Sequence, residues 1–360
     1  MTLPKTMKAM VTMGHGDLDQ MVLHAEWPRP VPAAGDVLIR VGACGLNNTD
    51  VNTRSGWYSK AVSDATTGAG YAKVDQEDPS WGGAPITFPR IQGADVCGRI
   101  VAVGAGVDAA RIGERVITDG WLRDADDLED LNKTGYFGSE RDGGFAEFTT
   151  TPARNALAIQ SDLSDAELAT FSCSYSTAEG MLTRAQVTGN DTVLIPGASG
   201  GVGGALVQLA KRRGARVIAM ASETKHAEVA TLGPDLILPR APDNLRAALG
   251  AEKVTVLADV VGGPYWPTLI DVLERGGRYT CSGAIAGPIV QLDLRTFYLR
   301  DLTFTGSTVI APEVMSNLIR YIENGDIKPA LAATYPLEQL REAQAAFIAK
   351  THVGNIVVTP

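Results

Sequence analysis

The sequence predicts an α/β protein, with a β-rich N-terminal unit followed by a doubly wound parallel sheet. Three observations predict it. Short apolar segments punctuated by Gly, Pro and Asp fill roughly the first 155 residues, with almost no helical periodicity. From Ser164 onward, strand-like runs alternate with helical ones. Within that second half, residues 192–221 read as strand, glycine-rich turn, amphipathic helix and strand in unbroken succession.

In chain order, Met7–Met13, Val37–Cys44, Gly98–Val103, Arg115–Thr118 and Phe145–Thr150 are the strand candidates of the first unit, which implies a twisted barrel or sandwich. Ser164-Asp165-Ala166-Glu167 opens a helical run with a capping box if Ser164 is the N-cap. Strands are expected at Thr192–Ile195, Arg216–Ala221, Leu236–Leu238, Val254–Val261, Arg278–Cys281 and Leu302–Phe304, with a helix over Pro264–Arg275. Six such strands complete a doubly wound sheet. Helices over Pro312–Asn324 and Leu337–Lys350 and a strand at Asn355–Val358 follow.

The segment at 192–221 carries the chemistry. Val202, Ala205, Leu206, Leu209 and Ala210 share one helical face, Lys211-Arg212-Arg213 suits the C-terminal dipole, and Gly214 is the stop. The spacing Ala198-x-Gly200-x-x-Gly203 puts Ala198 at the first position of G-x-G-x-x-G. Gly200 lets backbone approach a pyrophosphate, and Gly203 lets helix and strand pack closely. The N–H groups around Ser199, Gly201 and Val202 are then free to bind the anion. The alternative is a tight turn that binds nothing.

A chain of 360 residues suffices for two or three domains, and 45% apolar with 20% charged residues is ordinary for a soluble enzyme. A net charge of −9, with no basic run longer than Lys211-Arg212-Arg213, argues against nucleic acid as the main ligand. No apolar stretch approaches the roughly 18–20 residues that span a bilayer. The opening MTLPKTMKAM lacks the apolar core of a signal peptide, so a cytoplasmic location without membrane association is expected. Cys44, Cys97, Cys173 and Cys281 are scattered, form no C-x-x-C and read as reduced thiols.

Order and motifs together resemble the medium-chain dehydrogenase/reductase family. The matching segments are Gly98-Arg99-Ile100-Val101-Ala102-Val103-Gly104, Gly113-Glu114-Arg115-Val116, Asp142-Gly143-Gly144-Phe145-Ala146-Glu147-Phe148 and Gly354-Asn355-Ile356-Val357. The resemblance implies a GroES-like β-barrel catalytic domain at 1–158 and 308–360, a Rossmann domain at 159–307, a cleft active site and a homodimer. Leu302 to Ile310 is a plausible edge for the pairing.

Zinc members of the family need a Cys-His pair, a Gly-His-Glu and a third ligand. Here those places hold Asn47-Asn48-Thr49-Asp50, Gly93-Ala94-Asp95 and Cys173, and His15, His24, His226 and His352 lie elsewhere, so no metal is expected. Gly45-Leu46-Asn47, Arg54-Ser55-Gly56-Trp57-Tyr58 and Gly93-Ala94-Asp95-Val96 resemble the quinone oxidoreductase branch, which includes zeta-crystallin. That resemblance nominates Asn47 and Tyr58 as catalytic residues facing nicotinamide and substrate. Asn47 could instead cap a turn, and Tyr58 could be a loop aromatic beside Trp57. Asp50 and Asp95 read as structural acceptors. The insert at 59–85 is longer than that branch usually carries.

The second strand ends at Ala221 where an NAD site normally places Asp or Glu. Ser222 and Lys225 then offer a donor and a cation for a 2′-phosphate, which points to NADP(H); Glu223 is the counter-signal. Ser222 and Lys225 could also simply start the next helix. Thr177 matches the family threonine beside the nicotinamide, and Gly262 and Gly283 follow the fourth and fifth strands at the ligand-binding edge. The expected activity is hydride transfer from NADPH to a quinone or an α,β-unsaturated carbonyl. Alternatives are a zinc-free alcohol or aldehyde dehydrogenase and an NADPH-binding scaffold or sensor with little turnover.

Overall fold

The structure is a computed structural model that describes residues 3–66 and 85–360; most of the insert at 59–85 lies outside the described residues. The first unit contains β1 (Thr6–Thr12), β2 (Met21–Pro28), β3 (Asp36–Gly45), α1 (Asn48–Ser55), β4 (Asp95–Val103), β5 (Arg115–Thr118), β6 (Trp121–Leu122), β7 (Gly135–Tyr136), β8 (Phe148–Pro152) and β9 (Ala156–Ala158). β3 and β4 are its spine. They are antiparallel and buried on both faces through Val37, Leu38, Ile39, Val96, Cys97 and Ile100, which is why their apolar residues run together instead of alternating.

The second unit follows as α2 (Asp165–Leu168), α3 (Ser172–Arg184), β10 (Thr192–Pro196), α4 (Gly201–Arg212), β11 (Arg216–Ala221), α5 (His226–Ala230), β12 (Leu236–Pro239), α6 (Leu245–Leu249), β13 (Val254–Asp259), α7 (Trp266–Asp271), β14 (Leu273–Cys281), α8 (Leu294–Tyr298) and β15 (Thr303–Gly306). Its six strands pair in the order β12-β11-β10-β13-β14-β15, all parallel. Strand order therefore reverses between β10 and β13, and a doubly wound sheet opens its ligand crevice at that point. The chain then continues through α9 (Glu313–Glu323), β16 (Leu331–Pro336), α10 (Leu340–Ala349) and β17 (Asn355–Thr359). β17 lies between β16 and β3, so these last strands complete the sheet of the first unit.

The capping box is present: Ser164 N–H donates to Glu167 Oε2 at 2.8 Å, and Ser164 Oγ accepts the Glu167 N–H at 3.2 Å. The short strands β6, β7, β9 and β16 were not expected, and three further elements depart from expectation for identifiable reasons. β2 was not anticipated because its mixed polar sequence forms a half-exposed ribbon with β1. α1 stands where a turn was expected; its buried residues are mostly polar, so it has no apolar stripe to announce it. α7 is shorter than the expected helix, since Leu273 already belongs to β14.

Candidate active site

α1 starts where β3 ends, and that junction fixes Asn47. Its backbone N–H donates to Asp50 Oδ2 at 2.8 Å, and Asp50 Oδ1 accepts the Gly93 N–H at 3.2 Å. The helix is therefore held to the segment before β4 by one buried carboxylate. Burial pushes the Asp50 carboxyl up to about 7, against the pull of those backbone donors. Asp95, the first residue of β4, accepts the Cys173 N–H at 2.8 Å and faces the Asn47 amide. Its burial raises it to about 8.

Cys173 lies in the first turn of α3, and its thiol is pushed up by burial and by the Asp95 charge. Tyr136 and Thr177 offer it hydrogen bonds. Tyr58 is half-buried with Trp57 edge-on to it, and its hydroxyl is raised by burial while Thr49 and Asn52 hydrogen-bond to it. Asn47, Tyr58, Cys173 and Thr177 thus belong to one cluster. Tyr136 was missed by sequence reasoning, because β7 is two residues long and gives no periodic signal. Its hydroxyl is raised well up by burial, with Cys173 and Asp95 adding to the effect.

The cofactor-type turn sits opposite. Gly197, with φ +66°, makes the tight turn one residue before Ala198, which explains how alanine can hold the motif's first position. Ala198 N–H donates to the Met220 carbonyl at 3.1 Å. A Cβ on Gly203 would collide with the Gly197 carbonyl and come within 2.8 Å of Ala198 Cα. Gly200 is the N-cap of α4 and supplies no side-chain cap, so the first N–H groups of the helix have no side-chain acceptor there.

These two halves meet at Ser174. Its hydroxyl donates to Asn355 Oδ1 at 3.0 Å and lies 3.5 Å from Asn47 Oδ1. A Cβ on Gly201 would strike both Asn355 Oδ1 and Ser174 Oγ, so the start of α4 abuts this amide group. The Nδ2 atoms of Asn47 and Asn355 are buried without a hydrogen bond of good geometry. At the far end of the crevice, Ser222 follows β11, and Lys225 Nζ donates to the carbonyls of Lys350 at 2.6 Å and His352 at 2.8 Å. Gly262, with φ +59°, offers its N–H to Asp259, the last residue of β13, and the Gly283 carbonyl accepts from the Cys281 thiol at 3.2 Å.

Among the described residues no three His, Cys, Asp or Glu side chains stand where they could hold a metal ion. The three family ligand positions hold the Asn47 amide, the Ala94 methyl and a Cys173 thiol whose burial favours the protonated form. That donor set does not suit zinc.

Two family profiles match: the alcohol dehydrogenase GroES-like domain over residues 33–161 and the zinc-binding dehydrogenase over 201–324. A crystal structure from Sinorhizobium meliloti 1021, provisionally named an alcohol dehydrogenase, is 46% identical with a TM-score of 0.89, covering 99% of this chain and 98% of its own. The acryloyl-coenzyme A reductase of Metallosphaera sedula is 26% identical over 98% of this chain and all of its own length. The chloroplastic NADPH-dependent alkenal/one oxidoreductase of Arabidopsis thaliana is 26% identical over 100% of this chain and 81% of its own. Fold, turn geometry and these likenesses agree: the chain belongs to the medium-chain dehydrogenase/reductase family.

Proposed function

We propose that the protein is a zinc-independent oxidoreductase that uses NADP(H) to deliver hydride to an α,β-unsaturated carbonyl or a quinone. The observation that carries this is the buried Asn47 Nδ2, a neutral donor without a good partner, where zinc dehydrogenases place a ligand cysteine. A dinucleotide fits the opposite wall, because the start of α4 lacks a side-chain cap and the buried Asn355 Nδ2 beside it has no hydrogen-bond partner among the described residues. When bound, the reduced nicotinamide supplies hydride.

The chain's own residues do the rest. Carbonyl oxygen that gains charge as the β-carbon is reduced accepts from Asn47 Nδ2 and the Tyr58 hydroxyl, donors placed before the reaction starts. Tyr58, or water beside it, returns the proton, and Thr49 and Asn52 orient its hydroxyl. Asp50 and Asp95 hold α1 and α3 in place and remain largely protonated below their raised values. Thr177 stands beside the nicotinamide, and Gly262 and Gly283 border the crevice. Ser222 and Lys225 meet the 2′-phosphate; Lys225 has one donor left after serving two carbonyls, and the charge of Arg240 reaches it as well.

This reading divides the chain into a catalytic unit, 1–158 with 308–360, and a cofactor unit, 159–307. Two copies pair through the edge strand β15, beside which Ile289, Leu294, Tyr298 and Leu299 are exposed. No helix among the described residues is long and apolar enough to cross a membrane, and a cytoplasmic location goes with this reading. The likeness to the Sinorhizobium protein favours a second possibility, a zinc-free alcohol or aldehyde dehydrogenase. A hydride-acceptor screen decides: NADPH consumed with enones or quinones and spared by aldehydes supports the first reading. The reverse pattern supports the second, and tight binding without turnover would leave a scaffold or sensor.

A further inference from the structure

α10 ends at Lys350, a left-handed residue with φ 53°, and the turn that follows is pressed against the glycine-rich segment. Gly354 N–H donates to the Ser199 carbonyl at 2.9 Å, and Gly200 and Gly354 form a bridge. Lys225 ties the same turn from the tip of β11 through the carbonyls of Lys350 and His352. The Lys350 side chain runs 3.6 Å over the Phe347 ring to Asn48 Oδ1 at 2.9 Å, on the first residue of α1. Its ammonium thus lies between the strand tip that meets the ribose and the helix that opens the catalytic cluster. A dinucleotide spanning those two points carries its diphosphate through the space between them.

The charges around this position are unbalanced. Lys225 and His352 face Lys350, Arg240 adds to the field at Lys225, and Glu228 is the carboxylate that reaches Lys225. No carboxylate among the described residues offsets Lys350. Burial and the Lys225 charge push Lys350 down to about 7, and burial with both lysines pushes His352 down to about 4. Two independent features therefore point to an anion here: a Lys350 ammonium whose one side-chain hydrogen-bond partner among the described residues is the neutral Asn48 amide, and the uncapped start of the 12-residue α4.

Resting on the cofactor reading above, we propose that Lys350, with Lys225 and His352 behind it, is the cationic seat of the cofactor's diphosphate, and that cofactor binding there takes up a proton. His352 stays neutral near pH 7, so the proton goes to Lys350 Nζ. An adjacent phosphate favours the charged amine, so affinity weakens as pH rises above neutrality.

Isothermal titration of the intact protein with NADPH, in two buffers of different ionisation enthalpy near pH 7.5, measures that proton. Wild type should take up a large fraction of one proton. Lys350→Met should bind about tenfold more weakly at pH 7 and take up none. Lys350→Arg, charged at every pH used, should retain affinity and lose both the uptake and the pH dependence. Adenosine 2′-phosphate, which lacks the diphosphate, should bind without uptake. Wild-type binding without uptake, a Lys350→Met protein equal to wild type, or uptake with adenosine 2′-phosphate overturns the assignment while leaving the cofactor reading standing. Failure of wild type to bind either NADPH or NADH overturns both.

Discussion

The Asp95 carboxylate accepts the backbone N–H of Cys173 at 2.8 Å, joining the first residue of β4 to the first turn of α3. Asp95 and Asp50 are both raised in the folded protein, so between about pH 4 and their folded values the native state holds more protons than the unfolded chain. Stability contributed by these groups is present at low pH and is lost as pH rises towards 8. Thermal unfolding from pH 5 to 8 should show a falling midpoint, and Asp95→Asn should flatten that slope. A slope unchanged in the variant would show that Asp95 ionises normally.

Asn47→Ala should lower turnover about 100-fold while leaving the melting temperature within a few degrees, the scale seen when one preorganised donor is lost from an anion-stabilising site. Tyr58→Phe should cost about tenfold to 100-fold and alter the solvent isotope effect if its hydroxyl delivers the proton. Steady-state kinetics with an enone acceptor checks both.

Gly201→Ala and Gly203→Ala should fail differently. The new methyl at 201 strikes the Asn355 amide and Ser174 hydroxyl, which can shift, so cofactor affinity should drop about tenfold or more with the fold intact. At 203 it meets the Gly197 carbonyl, which cannot move without opening the turn, and stability should fall by about 1–3 kcal/mol. Fluorescence titration with NADPH and thermal melts separate the two.

Prolonged dialysis against a chelator should leave activity unchanged, and elemental analysis of the purified protein should find well under one zinc per chain. The reason is the donor set at Asn47, Ala94 and Cys173. Activity that disappears with the metal and returns with zinc would contradict the proposed chemistry.

The sequence made the strands of the second unit legible, all but β14 to within two residues at either end, because buried parallel strands are continuous apolar runs and the glycine turn between β10 and α4 has a spacing that few other structures need. The first unit was harder. α1 is a helix whose buried face is built from Asp50, Asn52, Thr53 and Arg54, and polar residues held by tertiary partners, as Asp50 is by Gly93 and Arg54 by Gly16 and Gln344, leave no apolar period to read. Asn47 and Tyr58 were named through resemblance, and their partners were not foreseeable. Tyr136, Ser174 and Asn355 reach the cluster from three distant segments, an arrangement that only the folded chain displays. The sequence presents Lys225 as a cation for a 2′-phosphate or as the start of the next helix, and gives no sign that two of its hydrogen bonds go to the turn after α10.

β17 occupies an interior place between β16, which shortly precedes it in the chain, and β3, which is synthesised near the beginning. During translation the parallel sheet can close once β15 has left the ribosome, whereas the N-terminal sheet must wait, with the flank of β3 uncovered, until residues 355–359 emerge. The nascent protein therefore passes through a stage in which its later-made half is folded and its earlier-made half is unfinished, the interval when a chaperone has most to protect.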